Sequence, residues 1–272
     1  MPTLEVVERY LWWLAIAGHL VLYLRLRQLG LTGTYRFFSF YLVFRTVRSL
    51  LLEATPLLLM AMGRHPNGRF ASTAYGWTWA ATEPLVWVTY VLVVLELCNL
   101  VFQKYKGIAS LGRWVVMGAL AVAVVISSLT LGADLSNPNE QFPILLYFLA
   151  ISRGVLTSLV IFLLFLAGFL VWYPVPLGRN VITHAIIYAV YFLSLTMALL
   201  VRNLSGSAMT QAVNLAMSGV TIGCLGAWLS SLTKRGELTA TTVRPRWDPG
   251  RQEQIMEQMA SVNSSLLRAA RK

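Results

Sequence analysis

Long apolar stretches separated by short polar turns dominate this sequence. Each stretch is about 20 residues long or longer, which is the length that an α-helix needs to cross the hydrocarbon core of a bilayer. The predicted spans are 8–27, 37–61, 75–101, 114–132, 143–171, 181–202 and 209–232. Glycine and proline fall between them, where helices end and the backbone turns. The pattern predicts an all-α, polytopic membrane protein built as a seven-transmembrane-helix bundle.

The composition fits this class and not a soluble one. Hydrophobic residues make up 57% of the 272 residues and charged residues only 12%, which is too apolar for an ordinary soluble domain of this length. The net charge of +11 does not indicate nucleic-acid binding, because the basic residues are spread over the segments that flank the spans and the tail. The partner that this distribution fits is the lipid bilayer.

The distribution of lysine and arginine predicts an external N-terminus and a cytoplasmic C-terminus, because the inner connections then carry more basic residues than the outer ones. The connection between the fourth and fifth spans holds Asp134 and Glu140 without a basic residue, which suits the outer side. The first nine residues lack the features of a secretory signal, so we expect the first span to be retained. These features predict a multi-pass protein of the cell inner membrane, with residues 1–232 as its transmembrane domain.

Charged residues inside the predicted spans are the main functional signal. Each costs roughly 2.5–3.5 kcal/mol at a helix centre, so such residues usually pair or line a polar cavity. With a rise of about 1.5 Å per residue, Arg48 lies near the midplane, and Glu53 and Glu83 lie at a similar depth nearer the exterior. Glu96 lies apart, near the inner surface, where we expect it to meet a basic loop residue or the lipid interface. The predicted network for ion pairing or ligand binding consists of Arg45, Arg48, Glu53, Glu83, Arg153 and His19.

Two polar stripes follow helical spacing in the last two spans. Such side chains either hydrogen-bond between helices or line a polar interior. The stripes consist of His184, Tyr188 and Tyr191 in the sixth span and Gln211, Asn214, Ser218 and Thr221 in the seventh.

Small residues also recur at four-residue steps in the seventh span, at Gly219, Gly223 and Ala227. Small side chains at this spacing let helix backbones approach closely. The pattern predicts tight packing inside the bundle, with formation of a homo-oligomer as the alternative.

No motif predicts catalysis, a bound metal or a cofactor. The three histidines are far apart in the sequence and have no helix-spaced carboxylate partner. Cys98 and Cys224 fall within spans, where they are predicted to be packing residues and not a disulfide. The seventh span has no lysine before Lys234, so we expect no retinal Schiff base. A non-enzymatic protein is the prediction.

The composition changes after the seventh span. Residues 233–246 read as a basic linker, and 247–272 as a cytoplasmic amphipathic helix for which Asp248 is a suitable N-cap and Pro249 a suitable first residue. Two heptads are too few to argue for a coiled coil, so docking to the protein or membrane, partner binding and self-assembly all remain open. The predicted docking seam consists of Ile255, Met259, Val262 and Leu266.

Two functions follow from these features. The leading one is a non-enzymatic membrane sensor or scaffold whose cytoplasmic tail docks a protein partner. The alternative is a transporter or channel that binds a small anionic or amphipathic ligand at the intramembrane Arg/Glu cluster. A dry ion-pair network that only fixes helix neighbours would support neither of them. A cavity bordered by the charges would favour the ligand.

Overall fold

The chain folds into long helices in a computed structural model. The model describes residues 2–61, 68–103, 143–172, 177–205, 209–238, 240–241 and 249–269, and a few positions between 107 and 125. Two short strands, β1 (Leu177–Gly178) and β2 (Ala240–Thr241), pair in antiparallel orientation. The helices of the described residues are α1 (Pro2–Gln28), α2 (Arg36–Ala61), α3 (Gly68–Val101), α4 (Pro143–Trp172), α5 (Arg179–Ser205), α6 (Thr210–Ser231), α7 (Lys234–Leu238) and α8 (Pro249–Ala269).

Six of the seven predicted spans coincide with helices α1 to α6. Most of the predicted fourth span, 114–132, lies outside the described residues. Helices α1 and α2 are of similar length to the others and carry more charged residues. The helical segments long and apolar enough to cross a membrane are Ala74–Val101, Ile151–Leu170, Arg179–Arg202 and Thr210–Ser231. The fold is therefore all-helical and compatible with membrane embedding.

Helices α1 to α6 form a closed ring. Each packs against the next one in chain order, and α6 packs back against α1. The contact between α6 and α1 is close at Gly18, where a Cβ atom would lie 3.0 Å from Cδ1 of Leu225. A residue without a side chain at this position lets the two helices close the ring.

A layer of aromatic side chains fills one half of the ring. Most of its ring pairs are in edge or tilted contact, with ring centroids 5.0 Å apart for Phe38 and Trp228 and 4.9 Å apart for Tyr188 and Trp228, whereas Phe38 and Tyr41 are stacked. Aromatic rings prefer these arrangements to face-to-face stacking. The layer, here called the aromatic layer, consists of Phe38, Tyr41, His184, Tyr188, Phe192 and Trp228, none of which is more than 2% exposed.

Glu96 on α3 caps the beginning of α2. Its Oε1 accepts a hydrogen bond from the backbone N–H of Phe37 (2.9 Å), and its Oε2 accepts one from Phe38 (3.0 Å). The first amides of a helix have no partner within the helix and carry partial positive charge, so a carboxylate satisfies both needs. Glu96 is buried against these backbone amides, and the charge of Arg36, a basic residue at the start of α2, also acts on it.

The start of the tail is fastened to the ring at the end where α2 and α5 begin. The hydroxyl of Tyr35 donates to Oε2 of Glu237 (2.9 Å), and Nδ2 of Asn180 donates to the same oxygen (3.2 Å) and to the carbonyl of Thr233 (2.7 Å). Burial is the main reason that the pKa of Tyr35 is above its ordinary value, and the nearby Glu237 carboxylate raises this pKa further. The phenol therefore stays protonated and donates. This region is called the Glu237 end. The predicted linker thus contains α7 and β2 in its described part.

The C-terminal helix α8 touches the body of the protein through part of its predicted seam. Met259 is buried in the hydrophobic core, and Leu266 is half-buried. The side chain of Asn263 accepts a hydrogen bond from the backbone N–H of Gly107 (2.7 Å). Val262 is 52% exposed, and the side chain of Ile255 lies outside the described part. Binding of a protein partner to this helix stays a prediction.

Candidate functional site

A cavity of about 370 Å³ lies inside the ring, and all six ring helices line it. It begins near Glu8, Tyr75 and Arg202, at the end of the ring here called the Glu8 end, and reaches Tyr90 and Tyr191 in the middle of their helices. The aromatic layer lies beyond these two tyrosines. A volume of this size falls within the range of small-molecule sites. Four members of the predicted network, His19, Arg45, Arg48 and Glu83, therefore border a space.

Arg48 and Glu83 form an ion pair on the cavity wall. Nη2 of Arg48 lies 2.5 Å from Oε2 of Glu83, and the two side chains are only 6% and 13% exposed. Nε of Arg48 donates to Oγ1 of Thr82 (2.8 Å), whose hydroxyl donates in turn to the carbonyl of Thr78 (2.9 Å). The charge of Arg48 is thus compensated, and its side chain is held in one orientation.

Arg45 lies one turn away from Arg48 on α2 and also lines the cavity. Among the described residues, no carboxylate lies within 4.0 Å of its guanidinium. Its Nε is buried and has no hydrogen-bond partner in the described part of the chain. A guanidinium always carries its charge in proteins, and Arg45 is half-buried, so a negative group that compensates its charge would be favourable. Arg45 therefore has unused capacity to bind an anion.

His19 lines the cavity from α1 and is 5% exposed. Its Nδ1 lies 2.6 Å from the carbonyl oxygen of Ala15. A carbonyl only accepts hydrogen bonds, so Nδ1 carries a proton, and Nε2 is the nitrogen available to a neighbour. His19 adds a polar group to the part of the cavity that Arg45 occupies.

Much of the remaining wall is apolar. The indole Nε1 of Trp87 donates to Oγ of Ser152 (2.8 Å), which fixes this ring between α3 and α4. Three arginines and two glutamates line the cavity, so its formal charge is positive when His19 is neutral. Cationic side chains beside aromatic and aliphatic ones are suited to bind an anion with an apolar body. The large apolar lining residues are Trp12, Trp79, Trp87, Leu52, Leu156, Leu195 and Leu199.

Two members of the predicted network lie elsewhere. Glu53 pairs with Arg9 on α1 (3.0 Å), and these side chains are 32% and 72% exposed. Arg153 is half-buried on α4 and is not among the residues that line the cavity. Glu53 and Arg153 are therefore not among the described residues that line the cavity, and their place in one network stays a prediction.

The two predicted polar stripes are divided between the cavity and its surroundings. Tyr191 lines the cavity, whereas His184 and Tyr188 lie within the aromatic layer. Gln211 is half-buried and does not belong to the lining. The stripe residues of α6 that do line the cavity are Asn214, Ser218 and Thr221.

The small residues of α6 have different surroundings: Ala227 packs against the hydrophobic core, whereas Gly219 and Gly223 do not contact a described helix. Gly219 and Gly223 are exposed, and a Cβ atom at either would meet no described atom within 4 Å; Ala227 is half-buried. The buried face of α6 carries Leu225 and Trp228 instead. Packing against a second copy of the chain stays a prediction.

Some residues of the site had not been predicted. They are the neutral or exposed partners of the charges: Thr82 for Arg48, and Arg9 for Glu53. Thr82 directly precedes Glu83 in the sequence, but threonine is common in helices of this kind and gave no separate signal. Ser152 was missed for the same reason.

The described residues contain no cluster of three His, Cys, Asp or Glu side chains that could hold a metal ion. Cys98 and Cys224 are both buried. The fold and the cavity together define a helical protein of membrane-compatible composition with a cationic internal site. Comparison with known protein families, characterised proteins and solved structures finds no match to this chain. The function is therefore inferred from the cavity.

Proposed function

We propose that this protein is a non-enzymatic, seven-span inner-membrane protein that binds a small amphipathic organic anion in the cavity of its ring. With the N-terminus outside and the C-terminus inside, the Glu8 end faces the exterior and the Glu237 end faces the cytoplasm. The ligand then enters from the outside. The lipid bilayer surrounds the ring.

The observation that supports this proposal is the charge of Arg45, which has no carboxylate partner among the described residues. Arg48 faces the same cavity but is balanced by Glu83. In the interior of a membrane such a charge is expensive, and ionisable residues there usually serve a ligand or ion. A carboxylate or phosphate monoester placed at Arg45 would supply the missing charge and hydrogen-bond acceptors.

The walls define the rest of the ligand. Tryptophan and leucine side chains surround the space between Arg45 and the Glu8 end, so an aliphatic or aromatic body would bury its apolar surface there. The aromatic layer closes the other end of the ring. This arrangement favours a site with one entrance, as in a receptor for the ligand, over an open channel.

Tryptophan fluorescence can test this proposal directly, because Trp12, Trp79 and Trp87 line the cavity. Bromine quenches tryptophan on contact, so 6-bromohexanoate is a suitable probe and the neutral 6-bromohexan-1-ol its matched control. The purified full chain in detergent is titrated with each compound. We expect saturable quenching by the carboxylate and only weak, non-saturating quenching by the alcohol.

Two arginine variants identify the binding group. Arg45→Met removes the free cation, and a charge-assisted hydrogen bond is worth about 1.5–3 kcal/mol, so we expect affinity to fall about 10- to 100-fold. Arg153→Met is the matched control, because it removes an intramembrane arginine that does not line the cavity. Equal affinities of the two variants, or equal quenching by the acid and the alcohol, would refute the proposal.

A further inference from the structure

The stripe of α5 predicted from the sequence joins the cavity to the Glu237 end. His184, Tyr188 and Tyr191 follow one another at helical-turn spacing and span about 10 Å along the helix axis. The three side chains are at most 2% exposed. A row of polar side chains that crosses an otherwise aromatic layer is costly unless the polar groups are used.

One end of this row, at Tyr191, reaches the cavity. The hydroxyls of Tyr191 and Tyr90 lie 3.3 Å apart, and both residues line the cavity. The opposite end of the row, at His184, reaches the Glu237 end of the ring. The aromatic ring of His184 lies 5.3 Å from that of Tyr35, whose hydroxyl donates to Glu237. Polar side chains thus follow one another from the Glu237 end to the cavity, with hydrogen bonds at the two ends of the row and ring contacts between them.

The polar atoms in the middle of the row are buried without partners. Among the described residues, Nδ1 and Nε2 of His184 and the hydroxyl of Tyr188 have no hydrogen-bond partner. The two rings are in contact, with centroids 4.8 Å apart. Buried polar atoms are nearly always satisfied in proteins, and a group of unsatisfied ones calls for an explanation. Both groups can accept one proton and release another, which is what a proton relay needs.

We propose that His184 and Tyr188 carry protons between Glu237 and the cavity. A proton that binds the Glu237 carboxylate is passed to the oxygen of Tyr35 as the phenol gives its own proton to one nitrogen of His184. The other nitrogen of His184 releases its proton to the oxygen of Tyr188, as Tyr188 gives its own proton to Tyr191. Tyr191 gives a proton to Tyr90, and Tyr90 releases one to solvent in the cavity. Every hydroxyl gains one proton and loses one, so a single proton is displaced. Rotation of the hydroxyls or a bridging water covers the gaps between the rings.

The surroundings of the row restrict it to protons. Phe38 and Trp228 pack against His184, with ring centroids 4.4 Å and 5.7 Å away, so apolar surfaces that would not solvate a larger ion surround the row. The other ionisable groups that act on Tyr188 are Glu96 and Cys224. Glu96 is engaged by the amides of α2, so it does not join the row.

Proton flux into liposomes tests this inference, which rests on the membrane orientation proposed above. The full chain is reconstituted with pyranine inside, and a potassium gradient with valinomycin drives protons inward. His184→Phe keeps a ring in the layer and removes both nitrogens, and Tyr188→Phe removes only a hydroxyl. Tyr23→Phe is the matched control, because Tyr23 packs at the edge of the core and lies off the row.

We expect the unaltered chain and Tyr23→Phe to conduct protons, and His184→Phe and Tyr188→Phe to fall to the level of protein-free liposomes. Unchanged flux in Tyr188→Phe, or no flux through the unaltered chain, would overturn the inference. Bromohexanoate quenching in the same preparations separates the two proposals. Loss of flux in His184→Phe and Tyr188→Phe with intact quenching supports the relay and is independent of the ligand site. Flux through the unaltered chain without any quenching contradicts the ligand site and still supports the relay.

Discussion

Replacement of Arg48 by methionine tests whether the ion pair on the cavity wall is required for stability. Methionine keeps much of the aliphatic stem and removes the guanidinium. Glu83 then loses its ion-pair partner in a site where its side chain is 13% exposed. Thr82 loses one donor but still donates to the carbonyl of Thr78, so it adds little to the loss.

The structure sets the size of this effect. Removal of one partner from a buried ion pair costs about 3–5 kcal/mol, mainly because the remaining charge is left without compensation. Glu83 borders the cavity, which gives its carboxylate some solvent, so we expect the lower limit of about 3 kcal/mol. In the double variant Arg48→Met with Glu83→Gln, no charge is left behind, and most of the lost stability should return.

The free energy of unfolding can be measured in dodecyl maltoside by titration with sodium dodecyl sulfate, followed by tryptophan fluorescence. Arg9→Met is the matched control, because it breaks the pair with Glu53 at side chains that are 72% and 32% exposed. Exposed pairs contribute about 0–1 kcal/mol, so this variant should be nearly neutral. A loss of unfolding free energy in Arg48→Met as small as that in Arg9→Met would contradict this prediction. A double variant no more stable than Arg48→Met would contradict it as well.

Two further predictions concern the other connections of the ring. Glu96→Ala leaves two amides of α2 without their charged acceptor, so we expect a loss of about 3 kcal/mol in the same titration and a smaller loss for Glu96→Gln, which still accepts. Gly107→Val should separate α8 from the body of the protein, because a Cβ there would lie 2.8 Å from the carbonyl oxygen of Asn263. In the additional background of Met259→Cys, the new thiol should then react faster with maleimide. Gly33→Val, where a Cβ meets nothing within 4 Å, should leave that rate unchanged.

The sequence was sufficient to predict the long helices. Apolar runs of membrane length end at glycine and proline, and these signals are local, so α1 to α6 overlap the predicted spans, with α1 and α3 beginning six and seven residues earlier than predicted. Depth and helical angle also placed Arg48 and Glu83 in one predicted network, and these two residues form an ion pair. The cavity itself depends on how six helices close into a ring, which no single helix encodes.

What the sequence could not predict depends on helix rotation and on partners without charge. Depth and helical angle grouped Glu53 with Arg48, whereas the described ion pair of Glu53 is with Arg9. Arg153 lies at a similar predicted depth but is not among the residues that line the cavity. The hydrogen bonds of Glu96 were not predicted, because backbone amides at a helix start are not visible as charges in a sequence. Four-residue spacing likewise gives no direction, so Gly219 and Gly223 could face a helix or the surroundings equally well.

Location of the bound bromine by anomalous X-ray scattering tests the central claim most directly. Crystals of the full chain with 6-bromohexanoate should show the bromine among Trp12, Trp79 and Trp87, with the carboxylate in hydrogen-bond contact with Arg45. Under the same conditions, Arg45→Met crystals should lack this peak. A bromine peak only on the outer surface of the ring, or an equally strong cavity peak in Arg45→Met, would contradict an anion site built around Arg45.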